Sequence, residues 1–162
     1  MFSGGKLRNM ASVYLLDREN ILLLYRQGHS IVHDLWIGSA GGHFKNHELC
    51  DATACVLREL KEELGLQPRD IQNLQLRYIT LRNTDNEIRQ NYYFFAELSE
   101  SVPKELPSTE GITQWFSLND LEKLPMPFTA RYMIDHYLTV GRFNNAVYGG
   151  IASKDRVAFT QL

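Results

Sequence analysis

Apolar positions along this chain fall into short runs broken by polar turns. Residues 11–16 and 21–26 are two such runs, parted by Asp17-Arg18-Glu19-Asn20, and they predict a two-stranded hairpin. Residues 29–37 read as a loop leading into a short extended piece that carries Trp36. Gly38-Ser39-Ala40-Gly41-Gly42 is small enough to let backbone approach a ligand closely. Between residues 52 and 64 the period changes: Val56, Leu57, Leu60 and Leu64 form an apolar stripe at helical spacing. Asp51 is placed to cap that helix and Gly65 to end it. Residues 73–83 and 88–98 predict two further strands around Asn83-Thr84-Asp85-Asn86, a strong turn signal. The second of these is rich in aromatic residues, which reads as sheet core. Residues 101–111 form a polar loop, 112–116 a short strand with Trp115, and 118–124 a brief helix. Residues 128–140 show helical spacing, with Tyr132, Ile134, Tyr137 and Leu138 among the apolar positions. The tail, 144–162, alternates glycine and apolar residues and predicts an edge strand or a partner contact. Strands on either side of a central helix, with a second helix near the end, make an α/β sandwich. No repeat or linker interrupts the chain, so a single domain over 1–162 is expected.

Composition narrows the function classes. The 162 residues are 44% hydrophobic and 22% charged, with a net charge of −2, which is ordinary for a globular protein and gives no footprint for stable nucleic-acid binding. No apolar run approaches the roughly 20 residues that span a membrane. The start, MFSGGKLRNM, lacks the apolar core of a signal peptide. The two cysteines, Cys50 and Cys55, have no zinc-like partner set and are expected as free, spectator thiols. These features together predict a cytoplasmic protein with no membrane partner.

The chemistry-bearing stretch is Arg58-Glu59-Leu60-Lys61-Glu62-Glu63-Leu64-Gly65-Leu66. On a helix each residue advances about 100°, so Glu59, Glu62 and Glu63 project from one face and can converge. Like charges at that spacing repel and call for compensation. Mg²⁺ takes oxygen ligands and binds through a few carboxylates together with substrate phosphates. A solvated acidic face, with Arg58 and Glu62 paired four residues apart, is the plain alternative.

The segment 41–66, GGHFKNHELCDATACVLRELKEELGL, resembles the Nudix box. That pattern is G, five residues, E, seven residues, then R-E-U-x-E-E-x-G-U with U aliphatic. Gly42 and Glu48 fit its first half, and residues 58–66 fit the second half at every specified position. Nine residues, not seven, separate Glu48 from Arg58. On sequence alone the reach of Glu48 to Arg58 is therefore open, and Glu48→Ala is expected to impair activity less than Glu62→Gln. Looser likeness extends through Tyr25-Arg26, Trp36, Glu110-Gly111 and Trp115.

The resemblance implies a Nudix-type α/β/α sandwich, a mixed β-sheet between helices. It implies Mg²⁺, with Mn²⁺ as an alternative, held by Glu59, Glu62, Glu63 and the Gly41 carbonyl. Arg58 resembles the residue that orients the first glutamate. Glu110 resembles a further ligand or general base, so Glu63 and Glu110 are both candidates for the base. Arg26 and His43 are candidate phosphate contacts. His29, His33, His47 and His136 carry no motif and read as surface or loop residues, while Tyr78, Tyr93 and Phe128 read as packing rather than base stacking. The chain is also similar to the MutT-like branch, which implies a small-molecule nucleotide substrate. A nucleoside triphosphate, of the oxidised 8-oxo-dGTP type among others, would be hydrolysed to the monophosphate and pyrophosphate. Nucleotide sugars and dinucleoside polyphosphates are alternative substrates, and a non-catalytic nucleotide-sensing module is a rival. Isomerisation of isopentenyl diphosphate to its allylic isomer, a rival chemistry on the same fold, needs a positioned cysteine, and Cys50 and Cys55 lie in the wrong place for it. A homodimer is a further expectation, as many relatives pair.

Overall fold

The structure is a computed structural model and describes residues 5–27 and 34–162. The expected hairpin is present as β1 (Lys6–Asp17) and β2 (Asn20–Arg26). Its turn places Arg18 at φ 58°, and Leu15 pairs with Leu22. β3 (Leu35–Ile37) and β4 (Ala40–His43) follow. Residues 29–33 of the expected loop, His29 and His33 among them, lie outside the described residues.

α1 (Ala52–Leu64) has the expected bounds. The Asp51 side chain accepts from the Ala54 N–H at 3.0 Å, which satisfies one free donor of the first turn. Gly65 ends the helix in the left-handed region, at φ 70°, where a side chain is disfavoured. Val56, Leu60 and Leu64 are buried as expected, and Leu57 is half-buried.

β5 (Ile71–Thr84) and β6 (Glu87–Leu98) form a long hairpin. Asp85 and Asn86 both have positive φ, 51° and 62°, as a two-residue turn matching strand twist requires. β7 (Ile112–Ser117) and α2 (Phe128–Thr139) follow, and residues 118–124 contain only a 3-10 turn at Leu118–Asp120 where a brief helix was expected. The tail holds two strands rather than one, β8 (Tyr148–Ala152) and β9 (Val157–Gln161). No helix among the described residues is long and apolar enough to cross a membrane.

The strands form one mixed sheet in the order β3-β2-β1-β6-β5-β8-β9, with β4 added to β1 and β7 to β2. Pairings β1–β6 and β5–β8 are parallel, the others antiparallel. α1 packs its apolar stripe on one face, against Ala11, Val13, Leu15 and Phe94. α2 packs Met133, Ile134 and Tyr137 on the other, against Tyr14, Tyr93 and Phe95. The result is the expected α/β/α layering.

One irregularity positions the site. β2 runs beside β1 only at Leu15–Asp17, and β4 takes its place beside Met10–Val13. The sheet therefore forks. Ser39, fully buried at the fork, accepts from the Leu15 N–H at 2.8 Å and donates to the Leu22 carbonyl at 2.6 Å. Its hydroxyl satisfies backbone groups that the diverging strands leave there.

Candidate active site

The site lies where α1 crosses β4. Gly41 and Gly42 pair with Ser12 and Ala11 of β1, which fixes their backbone beside the helix. A Cβ at Gly42 would collide with the Glu59 carboxylate, so only glycine lets the acid sit against the strand. Glu59 and Glu63 are both buried, one helical turn apart. Glu63 is driven well above the ordinary carboxylate range by burial first, then by hydrogen bonding to Glu59 and the charges of Glu59 and Glu110, partly offset by the Gly41 backbone amide. Two carboxyl groups sharing one buried place cannot both ionise cheaply without a cation.

Glu62 sits apart from that pair. Its carboxylate is half-exposed and accepts from Arg58 Nη1 at 3.0 Å and Lys45 Nζ at 3.4 Å. Desolvation raises its pKa, but the hydrogen bonds and charges of Arg58 and Lys45 together hold it below the usual carboxylate range. Among the described residues, no three His, Cys, Asp or Glu side chains converge as a ready metal cage. The arrangement brings Glu59 and Glu63 together and leaves Glu62 on the cationic flank.

Glu110 reaches the pair through its loop. The Thr109 N–H donates to the Glu63 carbonyl at 3.2 Å, docking the loop on the end of α1. Glu110 Oε2 then accepts from Arg26 Nη2 at 3.1 Å, while the Arg26 Nε is buried without a partner among the described residues. Arg26 is thus tied to the site and retains an unsatisfied donor. His43 is exposed on β4, and partial burial together with the neighbouring Arg8 pushes its pKa down, which favours the neutral ring.

Arg58 contacts Glu59, the first of the three glutamates, and several groups besides. Its Nη1 donates to Glu59 Oε1 at 2.6 Å and its Nη2 to the His43 carbonyl at 3.1 Å. The open question of Glu48 is settled by geometry. Glu48 is buried and takes Arg58 as a two-pronged pair, Nε to Oε1 at 2.5 Å and Nη2 to Oε2 at 3.0 Å. The two extra residues do not break this pair. A turn in which the Asp51 N–H donates to the Glu48 carbonyl at 2.8 Å, with Cys50 left-handed at φ 69°, folds the surplus back before α1 begins.

Several side chains differ from the sequence expectation or were invisible to it. His136 is no surface or loop residue: it lies on α2 among aromatic rings and its Nδ1 is 2.8 Å from the Tyr78 hydroxyl. His47 is exposed, as expected. Cys50 and Cys55 are free, and burial first pushes the Cys55 thiol up to about 12, consistent with a spectator. Ser39 and the Glu48–Arg58 pair depend on contacts between distant residues and had no local signal.

Residues 6–137 match the NUDIX domain family. This chain belongs to that family. As a Nudix pyrophosphohydrolase it is an enzyme of phosphoanhydride bonds. Among solved structures, the MutT protein from Bacillus halodurans is similar at TM-score 0.66 and 19% identity, over 95% of this chain and 97% of that one. The E. coli ORF135 protein is similar at TM-score 0.68 and 18% identity, over 89% and 97%. A C. elegans Ap4A hydrolase is similar at TM-score 0.64 and 16% identity, over 85% and 99%. At these identities the likeness is one of fold. No curated protein matches the chain in sequence. The Nudix match ends at residue 137, so β8 and β9 lie beyond it while remaining in the same sheet.

Proposed function

We propose that this Nudix enzyme hydrolyses a nucleoside diphosphate-linked substrate with Mg²⁺, foremost a nucleoside triphosphate, giving the monophosphate and pyrophosphate. Oxidised purine triphosphates of the 8-oxo-dGTP type fall within that class. The observation that carries the reading is the buried Glu59–Glu63 pair against Gly41-Gly42, with Glu110 beside it.

The donor set fits a hard divalent cation: carboxylate oxygens and backbone, with excess buried negative charge. Glu59, Glu63 and the Gly41 carbonyl would hold it, joined by Glu62 once released from Arg58 and Lys45. When bound, such an ion neutralises phosphoryl oxygens and activates water. The chain's own residues supply the rest. Arg58 fixes Glu59 while Glu48 fixes Arg58. Arg26, whose buried Nε has no partner among the described residues, would turn its guanidinium to a phosphate oxygen. The attacking water bonds to phosphorus, the bridging P–O bond breaks, and the water proton passes to Glu63 or Glu110.

The test is Glu62→Gln. It should abolish Mg²⁺-dependent hydrolysis across a panel of normal and oxidised nucleoside triphosphates, nucleotide sugars and dinucleoside polyphosphates. Its circular dichroism and melting temperature should match the wild type, because Glu62 is half-exposed. Turnover equal to wild type would refute its role.

A further inference from the structure

Arg82 and Arg89 stand directly opposite one another on β5 and β6. Opposed positions share a face of the sheet with Cβ atoms about 5 Å apart, and like charges there oppose folding. Compensation is incomplete. Arg89 Nε donates to Glu87 Oε2 at 2.8 Å, but Glu87 also serves Arg8 at 3.1 Å. The Arg82 guanidinium lies over the Phe128 ring, 4.6 Å from its centre, with no carboxylate partner among the described residues.

Both arginines line a cavity of about 160 Å³ that continues to Arg26 and Gly41 of the active site. No carboxylate lines it among the described residues. Its remaining wall includes Thr129 and Ala130, in the first turn of α2. That helix begins at Pro127 with no side-chain cap, so its first N–H groups lack the usual acceptor. A helix start adds positive potential and free donors, the combination that receives a phosphate. A neutral base would leave the arginine repulsion in place, and arginine offers donors only.

The register sets the span. Arg89 is level with Arg8 on β1, and Gly41 is level with Ser12. Four residues of strand cover about 13 Å, before the reach of the arginine side chains is subtracted. The cationic end is therefore displaced from the glutamates by a distance of the order of a sugar or a further phosphoryl unit.

We propose that this cleft binds a phosphate group of the substrate that lies outside the cleaved linkage. The substrate class is a nucleoside polyphosphate with an additional phosphate monoester, either on the sugar or at the end of the polyphosphate chain. This rests on the nucleotide-substrate reading above and adds a second recognition point to it.

Two measurements on the full chain test the assignment. The first is calorimetric titration of inorganic phosphate without divalent metal. Arg82→Gln and Arg89→Gln should each weaken binding about tenfold or more, the size of one lost charge-assisted hydrogen bond. Arg82→Lys, which keeps the charge, should retain part of it and controls for folding. The second compares one nucleoside as its 5′-diphosphate, its 5′-triphosphate and its 3′-phosphorylated 5′-triphosphate, with Mg²⁺. The preference in kcat/KM for the extra phosphate should fall by a similar factor in the glutamine variants, through KM. Whichever pair of substrates carries the effect identifies the phosphate. Unchanged phosphate binding in both glutamine variants, or a preference identical to wild type, overturns the proposal. If the wild type turns over none of the three, the nucleoside-triphosphate reading of the substrate fails, while the phosphate titration still decides the cleft.

Discussion

Arg58 is the residue on which the acid cluster is strung. It holds Glu48 by two prongs, and reaches Glu59, Glu62 and the His43 carbonyl besides. The Arg58 hydrogen bond, outweighing burial and helped by the Lys45 N–H, holds the Glu48 carboxyl down at about 2. A carboxyl depressed in the folded state contributes stability above its unfolded value, and that stability is lost as pH falls through the folded value. The loss should therefore run from about pH 4.3, the ordinary glutamate value, downward to about pH 2. Glu48→Gln should flatten that part of an acid denaturation curve followed by circular dichroism. Glu48→Ala, which leaves a largely buried guanidinium short of its partner, should cost about 3 kcal/mol in urea unfolding. The sequence ranking that made Glu48 the lesser residue thus needs a division of labour: Glu48 for the fold of the site, Glu62 for turnover.

At the scale of elements, what could be read along the chain was local. The β1–β2 hairpin, α1 with Asp51 and Gly65 at its ends, the Asp85-Asn86 turn and α2 each follow from neighbours in sequence, through period, caps and turn residues. The fork between β2 and β4 does not, because it is made by strands that meet only in three dimensions. Gly38-Ser39-Ala40-Gly41-Gly42 was legible as a place for close backbone approach, yet nothing nearby marked Ser39 as the residue that closes the fork. The opposed arginines were illegible for the same reason, as their meeting depends on the register of β5 and β6. Ser39→Ala would strand a buried N–H and a buried carbonyl, Leu15 and Leu22. It should destabilise the protein by roughly 2 kcal/mol, read by denaturant unfolding, with faster amide exchange at Leu15. A shift below a few tenths of a kcal/mol would mean that water replaces the hydroxyl at the fork.

The whole molecule is larger than its family match. β8 adds to β5 from Tyr78 to Leu81, and Tyr148 stacks on Tyr78 with ring centres 5.6 Å apart. The buried Arg77 guanidinium donates to the carbonyls of Gly141, Asn144 and Ala146, tying the end of α2 to the same edge. Deleting residues 145–162 would uncover that ring and leave Arg77 without the Ala146 carbonyl. The shortened chain should lose a single cooperative melting transition in calorimetry even though residues 6–137 are intact. A sharp transition near the wild-type temperature would show that the hairpin is an accessory. The chain also carries only two thiols. Cys55 is sealed against the Gly42 carbonyl, whereas Cys50 is exposed at the doorstep of α1. A maleimide dye would therefore attach at a single point, Cys50, without any engineered handle.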